Sequence, residues 1–60
     1  MAGRQVYFEF MRQGAYMKVV AIDSVTATEV TIVGPAGASQ EQLKLTALRK
    51  LEYVLSKQGK

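Results

Sequence analysis

The amino-acid sequence predicts a small α+β fold, a three-stranded antiparallel meander packed on one C-terminal α-helix in the order β-β-β-α. An alternation of apolar and polar residues, interrupted by two turn signals, runs through the first half of the chain. After Gly34-Pro35 the apolar residues recur at helical spacing instead. The 60 residues are expected to form a single domain, because a chain this short supports one core at most. The elements are expected at about 5–12, 16–23 and 28–33 for the strands and 40–56 for the helix.

The first hairpin is predicted from its turn residues and its cross-strand pairs. Gln13-Gly14 is expected to form the loop, because glycine tolerates the positive φ of two-residue hairpin turns. That loop pairs Phe10 with Met17 and Glu9 with Lys18. Apolar pairs then lie on one face and an ion pair lies on the other, which supports the register.

The third strand follows a loop over Ser24–Ala27. The hydroxyl side chains of this loop and the carboxylate of Asp23 before it can hydrogen-bond nearby backbone amides. This loop pairs Ala21 with Val30 and Val19 with Ile32. Apolar residues of all three strands then share one inward face, which consists of Val6, Phe8, Phe10, Met17, Val19, Ala21, Val30 and Ile32.

The helix is predicted from a capping signal and an apolar arc. Proline cannot donate to a strand ladder, so the sheet is expected to end at Val33, before Gly34-Pro35. Ser39 can cap the helix that follows, and Gln42 completes a capping-box pattern. One arc of the helix is apolar and is expected to cover the inward face of the sheet, with Leu43, Ala47, Leu48, Leu51, Val54 and Leu55.

One helix can cover only one side of the sheet, so the other side is expected to be exposed. A contiguous patch of apolar and aromatic residues on that side would be typical of an interaction site. We predict self-association, most simply as a two-fold homodimer, with an isolated monomeric domain and docking onto another protein as the alternatives. The predicted interaction face consists of Tyr7, Met11, Tyr16, Val20, Ile22 and Val33.

The net charge of +3 makes weak nucleic-acid binding the second hypothesis. The basic residues are spread over both ends of the chain and interleaved with acidic ones, which favours an ordinary solvated surface. The exposed sheet face offers Lys18 alone, with Glu9 and Glu29 nearby, so nucleic-acid readout by the sheet is not expected. The candidate contacts lie instead near the N-terminus and on the outer side of the helix, at Arg4, Arg49, Lys50 and Lys57.

Catalysis, a metal and a cofactor are not expected. The chain has neither histidine nor cysteine, which removes the commonest acid–base and zinc-binding groups. Asp23 and Glu29 are predicted to point to the same face, where they bracket a solvated turn that would not tune them for chemistry. The segment Gly34–Ser39 lacks the lysine and the spaced glycines of phosphate-binding loops. With no long apolar run, neither a signal peptide nor a membrane span is predicted, and a cytoplasmic location is expected.

Four stretches of the chain carry a family resemblance: Val6-Tyr-Phe-Glu-Phe, Lys18-Val-Val-Ala-Ile-Asp, Glu29-Val-Thr-Ile-Val-Gly-Pro-Ala and Ala47-Leu-Arg-Lys-Leu-Glu-Tyr-Val-Leu. Together they resemble a family of short bacterial proteins known only as a domain of unknown function. The resemblance spans nearly the whole chain and implies small size and a cytoplasmic location, with no established activity or ligand. It also implies glycine in other members where this chain has Ala27, and hence a slightly strained second hairpin or a different turn.

Overall fold

The structure, a computed structural model, describes residues 5–58. Three antiparallel strands are followed by one helix, and the strands lie side by side in chain order, so the predicted β-β-β-α fold class is confirmed. The elements are β1 (Val6–Gln13), β2 (Tyr16–Asp23), β3 (Glu29–Pro35) and α1 (Gln40–Gln58).

The first turn lies one residue later than the sequence predicted. Gln13 pairs with Tyr16, so the loop is Gly14-Ala15. Gly14 has φ +62°, and positive φ at the first loop position is the pattern of a type II′ turn. The predicted loop would have placed Gln13 at that position, where a side chain is disfavoured. The predicted turn was therefore wrong because the glycine takes the first loop position and not the second.

The later turn shifts the β1–β2 register by two residues. Phe10 pairs with Val19 and not with Met17, and Glu9 lies opposite Val20 and not opposite Lys18. The predicted ion pair was therefore wrong. A shift of two residues leaves every side chain on its predicted face, because side chains alternate with a period of two.

The β2–β3 register is the predicted one, with Ala21 opposite Val30 and Val19 opposite Ile32. The sheet does not end at Val33, however, because β3 continues to Pro35. The backbone N of Ala36 donates to the carbonyl oxygen of Ala15 at 2.9 Å, so the preceding residue, Pro35, turns its backbone nitrogen away from β2. Proline is tolerated there because no ladder hydrogen bond is lost.

The second hairpin is organised by a buried carboxylate. Asp23 is fully buried, and its Oδ2 accepts hydrogen bonds from the backbone N of Thr26 at 2.9 Å and from Thr26 Oγ1 at 2.8 Å. The backbone N of Ala27 donates to the Asp23 carbonyl oxygen at 2.8 Å. Ala27 has φ +61°, in the left-handed region that favours glycine, which agrees with the strain that the family resemblance implied.

The helix begins after its predicted cap and packs closely on β3. Ser39 Oγ accepts a hydrogen bond from the backbone N of Gln42 at 3.0 Å. Leu43 lies directly over Gly34, where a Cβ atom would collide with the leucine side chain. The Gly34–Ser39 segment thus connects β3 to α1 at a point where the strand and the helix are in close contact.

The core lies between α1 and the inner face of the sheet, which is the side that faces the helix. All eight predicted inward strand residues belong to it or pack against it, and Leu43, Ala47 and Leu51 are its buried helix residues. The helix packs on β2 and β3 to similar extents and contacts β1 far less. Leu48, predicted to lie in the core, is only half-buried, because it faces the side of the helix where β1 lies.

Candidate interaction surfaces

The outer face is the side of the sheet away from α1, and it forms a grid of four cross-strand rows. The rows follow from the two registers. They are Tyr7–Ile22–Glu29, Glu9–Val20–Thr31, Met11–Lys18–Val33 and Gln13–Tyr16–Pro35.

The predicted interaction residues all lie on this outer face, but they differ in accessibility. Tyr7, Tyr16 and Val33 are exposed by 56%, 61% and 62% of their surface. Met11 and Ile22 are half-buried. Val20 is only 4% exposed, because its neighbours on the flanking strands enclose it. Val20 therefore forms the floor of the face, and the accessible apolar surface belongs to the two tyrosines and Val33.

The outer face also carries charges of both signs. Lys18 lies in the middle strand, between Met11 and Val33. Glu9 and Glu29 lie in the two outer strands and are exposed. The face is therefore amphipathic, with one central cation and two peripheral anions.

A groove on the other side of the sheet was not predicted. It lies between β1 and α1, has a volume of about 520 Å³ and is open to solvent. Its apolar walls are Val6 and Phe8 from the strand and Leu45 and Leu48 from the helix, and its rim carries Glu41, Lys44 and Glu52. We call it the β1–α1 groove. It exists because α1 lies over β2 and β3, which leaves the inner side of β1 only partly covered.

Two of the predicted nucleic-acid contacts, Lys50 and Lys57, make contacts within the chain. Arg4 lies outside the described residues. Lys50 Nζ donates a hydrogen bond to the carbonyl oxygen of Thr31 at 3.0 Å, at the edge of the sheet. Lys57 Nζ lies 5.4 Å from the centre of the Tyr53 ring, within cation–π distance. Arg49 is exposed on the helix.

The carboxylates at the second hairpin do not form a pair. Asp23 and Glu29 were predicted to share a face, and this was wrong: Asp23 is fully buried, whereas Glu29 lies on the outer face opposite Ile22. The Asp23 carboxylate instead accepts hydrogen bonds from the backbone N and the Oγ1 of Thr26 in the turn. Across residues 5–58, no three acidic, histidine or cysteine side chains come together as a metal site would require. Within the same residues no helix is long and apolar enough to cross a membrane.

The fold and its surfaces define a class of small α+β modules with one sheet face open to solvent. The model of a family described as a domain of unknown function (DUF6898) matches residues 3–58, so the chain belongs to that family. No curated protein and no solved structure matches the chain.

Proposed function

We propose that this protein is a non-catalytic interaction module that associates with itself through the outer face of its sheet. One observation carries the proposal: Tyr7, Tyr16 and Val33 are more than half exposed although they lie on ordered strands. Large apolar side chains fixed on a rigid surface bury area on association at little cost in conformational entropy.

A second copy of the chain is the occupant that fits the charges of this face. Lys18 near the middle is complementary to Glu9 and Glu29 in the outer strands. In a two-fold arrangement each complementary contact between two copies occurs twice. A nucleic acid would instead meet two carboxylates on the same face, which repel phosphate.

Nucleic-acid binding through the helix has weaker support. Lys50 and Lys57 already make contacts within the chain, and Arg49 is the exposed guanidinium on the described part of that surface. A single arginine and two engaged lysines would neutralise few phosphates, and affinity for nucleic acid grows with the number of phosphates neutralised.

The test is the average mass in solution of Val33→Lys compared with wild type, by sedimentation equilibrium. Val33 is exposed, and lysine is well tolerated on edge strands, so the monomer should keep its fold. A buried lysine beside Lys18 of the same chain would oppose association, and we expect the dissociation constant to rise at least tenfold. Val20→Glu would be a poor test, because Val20 is buried in the isolated chain and a charge there would unfold it.

The matched control is Val25→Lys, which places the same charge at an exposed valine in the second hairpin. We expect it to leave the average mass unchanged. Equal masses for Val33→Lys and wild type, with both proteins folded by circular dichroism, would contradict association through the outer face.

A further inference from the structure

The two edge strands of the sheet, β1 and β3, differ in how readily they can pair with a further strand, and β3 is protected from such pairing. Ala36 points its N–H towards β2, and the backbone N–H and C=O groups of successive residues in a strand point in alternate directions. The groups of β3 that point away from β2 therefore belong to Glu29, Thr31, Val33 and Pro35. Pro35 has no N–H to offer a further strand. The carbonyl oxygen of Thr31 is taken by Lys50 Nζ at 3.0 Å. Proline and lysine are devices by which soluble proteins keep edge strands from pairing.

The β1 edge carries neither device. Ser24 donates its backbone N–H to the Gln5 carbonyl oxygen at 2.9 Å, so the backbone groups of Gln5 point towards β2. This contact fixes which residues of β1 point their N–H and C=O groups away from β2, because the direction alternates along a strand. The backbone groups of Val6, Phe8, Phe10 and Arg12 therefore point away from β2, and no described strand lies beyond them. The strand is eight residues long, with no proline, no glycine and no bulge. Such an edge is a ready template for another strand.

Apolar side chains border this open edge. Phe8 and Phe10 are only half-buried, and Phe8 lines the β1–α1 groove together with Leu45 and Leu48 of the helix. Lys44 Nζ lies 5.1 Å from the centre of the Phe8 ring. A strand added beyond β1 would bring its own side chains to the mouth of this groove, because alternate residues of the added strand face the helix side.

We propose that β1 pairs antiparallel with β1 of a second copy, so that two chains share one continuous six-stranded sheet. This interface is separate from the outer face and goes beyond the function proposed above. Both helices would lie on the same side of the shared sheet, and the two-fold axis would pass perpendicular to the sheet between the two β1 strands.

The charges and the aromatic residues favour a register with Phe8 on the two-fold axis over one with Glu9 on it. Placing Glu9 on the axis would set it opposite Glu9 of the second copy, and like charges directly opposite are destabilising. Placing Phe8 on the axis sets Tyr7 opposite the second copy's Glu9. On the inner face, Phe8 then meets its own copy and Val6 meets the second copy's Phe10, so each inward pair between residues 6 and 10 is apolar.

The space above the paired strands suits those aromatic side chains. Because α1 lies over β2 and β3, strand spacing places the two helices about 19 Å apart across the two β1 strands. Directly packed helices are about 8–10 Å apart, so a gap of about 10 Å remains. Phe8 and Phe10 of both copies would rise from the sheet into this gap, and Phe8 lines the β1–α1 groove with Leu45 and Leu48 on each side.

Edge pairing also enlarges the outer face on which the proposed self-association rests. Three strands of about eight residues present a flat footprint of about 350 Å². Each partner in a stable complex typically buries about 800 Å² of accessible surface, and a flat footprint is a lower bound on the accessible surface above it. Joining two sheets doubles the continuous outer face to about 700 Å².

The test is disulfide cross-linking between two single-cysteine variants, Tyr7→Cys and Glu9→Cys, mixed and oxidised. The chain has no cysteine of its own, so each disulfide reports a contact between chains. Both positions are exposed, so each variant should fold. In the proposed register these positions face each other as a non-hydrogen-bonded pair, with Cα atoms about 4.5 Å apart, which suits a disulfide.

We expect the mixed disulfide to exceed both same-variant disulfides by at least fivefold. Two copies of either variant would hold their cysteine Cα atoms about 8 Å apart, beyond disulfide reach. A statistical mixture of the three products would overturn the proposal, as would efficient cross-linking of Glu9→Cys alone. Val25→Cys mixed with Glu9→Cys controls for random collision and should give only statistical products.

Repeating the cross-linking in a Val33→Lys background separates this interface from the outer-face association. A mixed disulfide that persists supports edge pairing even if the protein does not associate through the outer face. Loss of the mixed disulfide in that background would assign the contact to the outer face and overturn edge pairing.

Discussion

At the scale of single residues, backbone conformation outweighs side-chain pairing. The predicted Gln13-Gly14 turn would pair Glu9 with Lys18, and that ion pair favoured the predicted register. In the structure, Gly14 takes the first loop position with positive φ, and the charges lie opposite apolar residues instead. An exposed ion pair contributes a few tenths of a kcal/mol, less than forcing a side chain into an unfavourable φ would cost.

Ala27 is the position where a single substitution should stabilise the fold. Its φ of +61° is unfavourable for alanine by about 1 kcal/mol, and glycine removes that cost. Part of the gain is lost because glycine makes the unfolded chain more flexible. We expect Ala27→Gly to raise the free energy of unfolding by about 0.5 kcal/mol, measured by urea denaturation.

Ala15 provides the matched control for that substitution. It also lies in a hairpin turn and is exposed, but it does not have positive φ. Ala15→Gly should therefore lower the free energy of unfolding by about 0.5 kcal/mol. Equal effects of the two substitutions would show that the Ala27 backbone is not strained.

At the scale of elements, local sequence signals predicted the three strands and the helix. The helix was predicted from its periodic apolar arc and its cap, and the structure has the Ser39 cap in place. The end of β3 could not be predicted from Pro35 alone. Whether a proline ends a strand depends on which way its nitrogen points, and that follows from the register and from β3 being an edge.

Removing the helix cap should weaken the whole fold, because the first turn of α1 leads directly to Leu43 in the core. Ser39→Ala removes the acceptor for the Gln42 backbone N–H, and we expect a loss of about 1 kcal/mol in the free energy of unfolding. Ser39→Asp keeps an acceptor at the cap and should lie within about 0.5 kcal/mol of wild type. If Ser39→Asp destabilises as much as Ser39→Ala, the cap is not the cause.

At the scale of the whole molecule, the sequence predicted two sides of the sheet but not the lateral position of the helix. Alternation and helical periodicity assign residues to faces, and the inner and outer faces were predicted in this way. Neither pattern states which strands the helix covers. The β1–α1 groove and the half-buried position of Leu48 both depend on that lateral position, so no local signal could have predicted them.

The same lateral position accounts for the contrast between the two edges. The helix lies near β3, so Lys50 can reach the Thr31 carbonyl, whereas β1 lies beyond the helix and has no such cover. One helix over three strands thus leaves two surfaces of the sheet uncovered, the outer face and the β1 edge.

Residue-resolved amide hydrogen exchange of the wild-type protein tests this picture most directly, because the outward N–H groups of the two edges can be compared within one molecule. We expect Phe8 and Phe10 to exchange slowly, since a second copy covers the β1 edge, while Thr31 and Val33 on the β3 edge exchange quickly. If Phe8 and Phe10 exchange as quickly as Thr31 and Val33 while Val19 and Ala21 in the central strand stay protected, the β1 edge is bare in solution and a second copy does not pair with it.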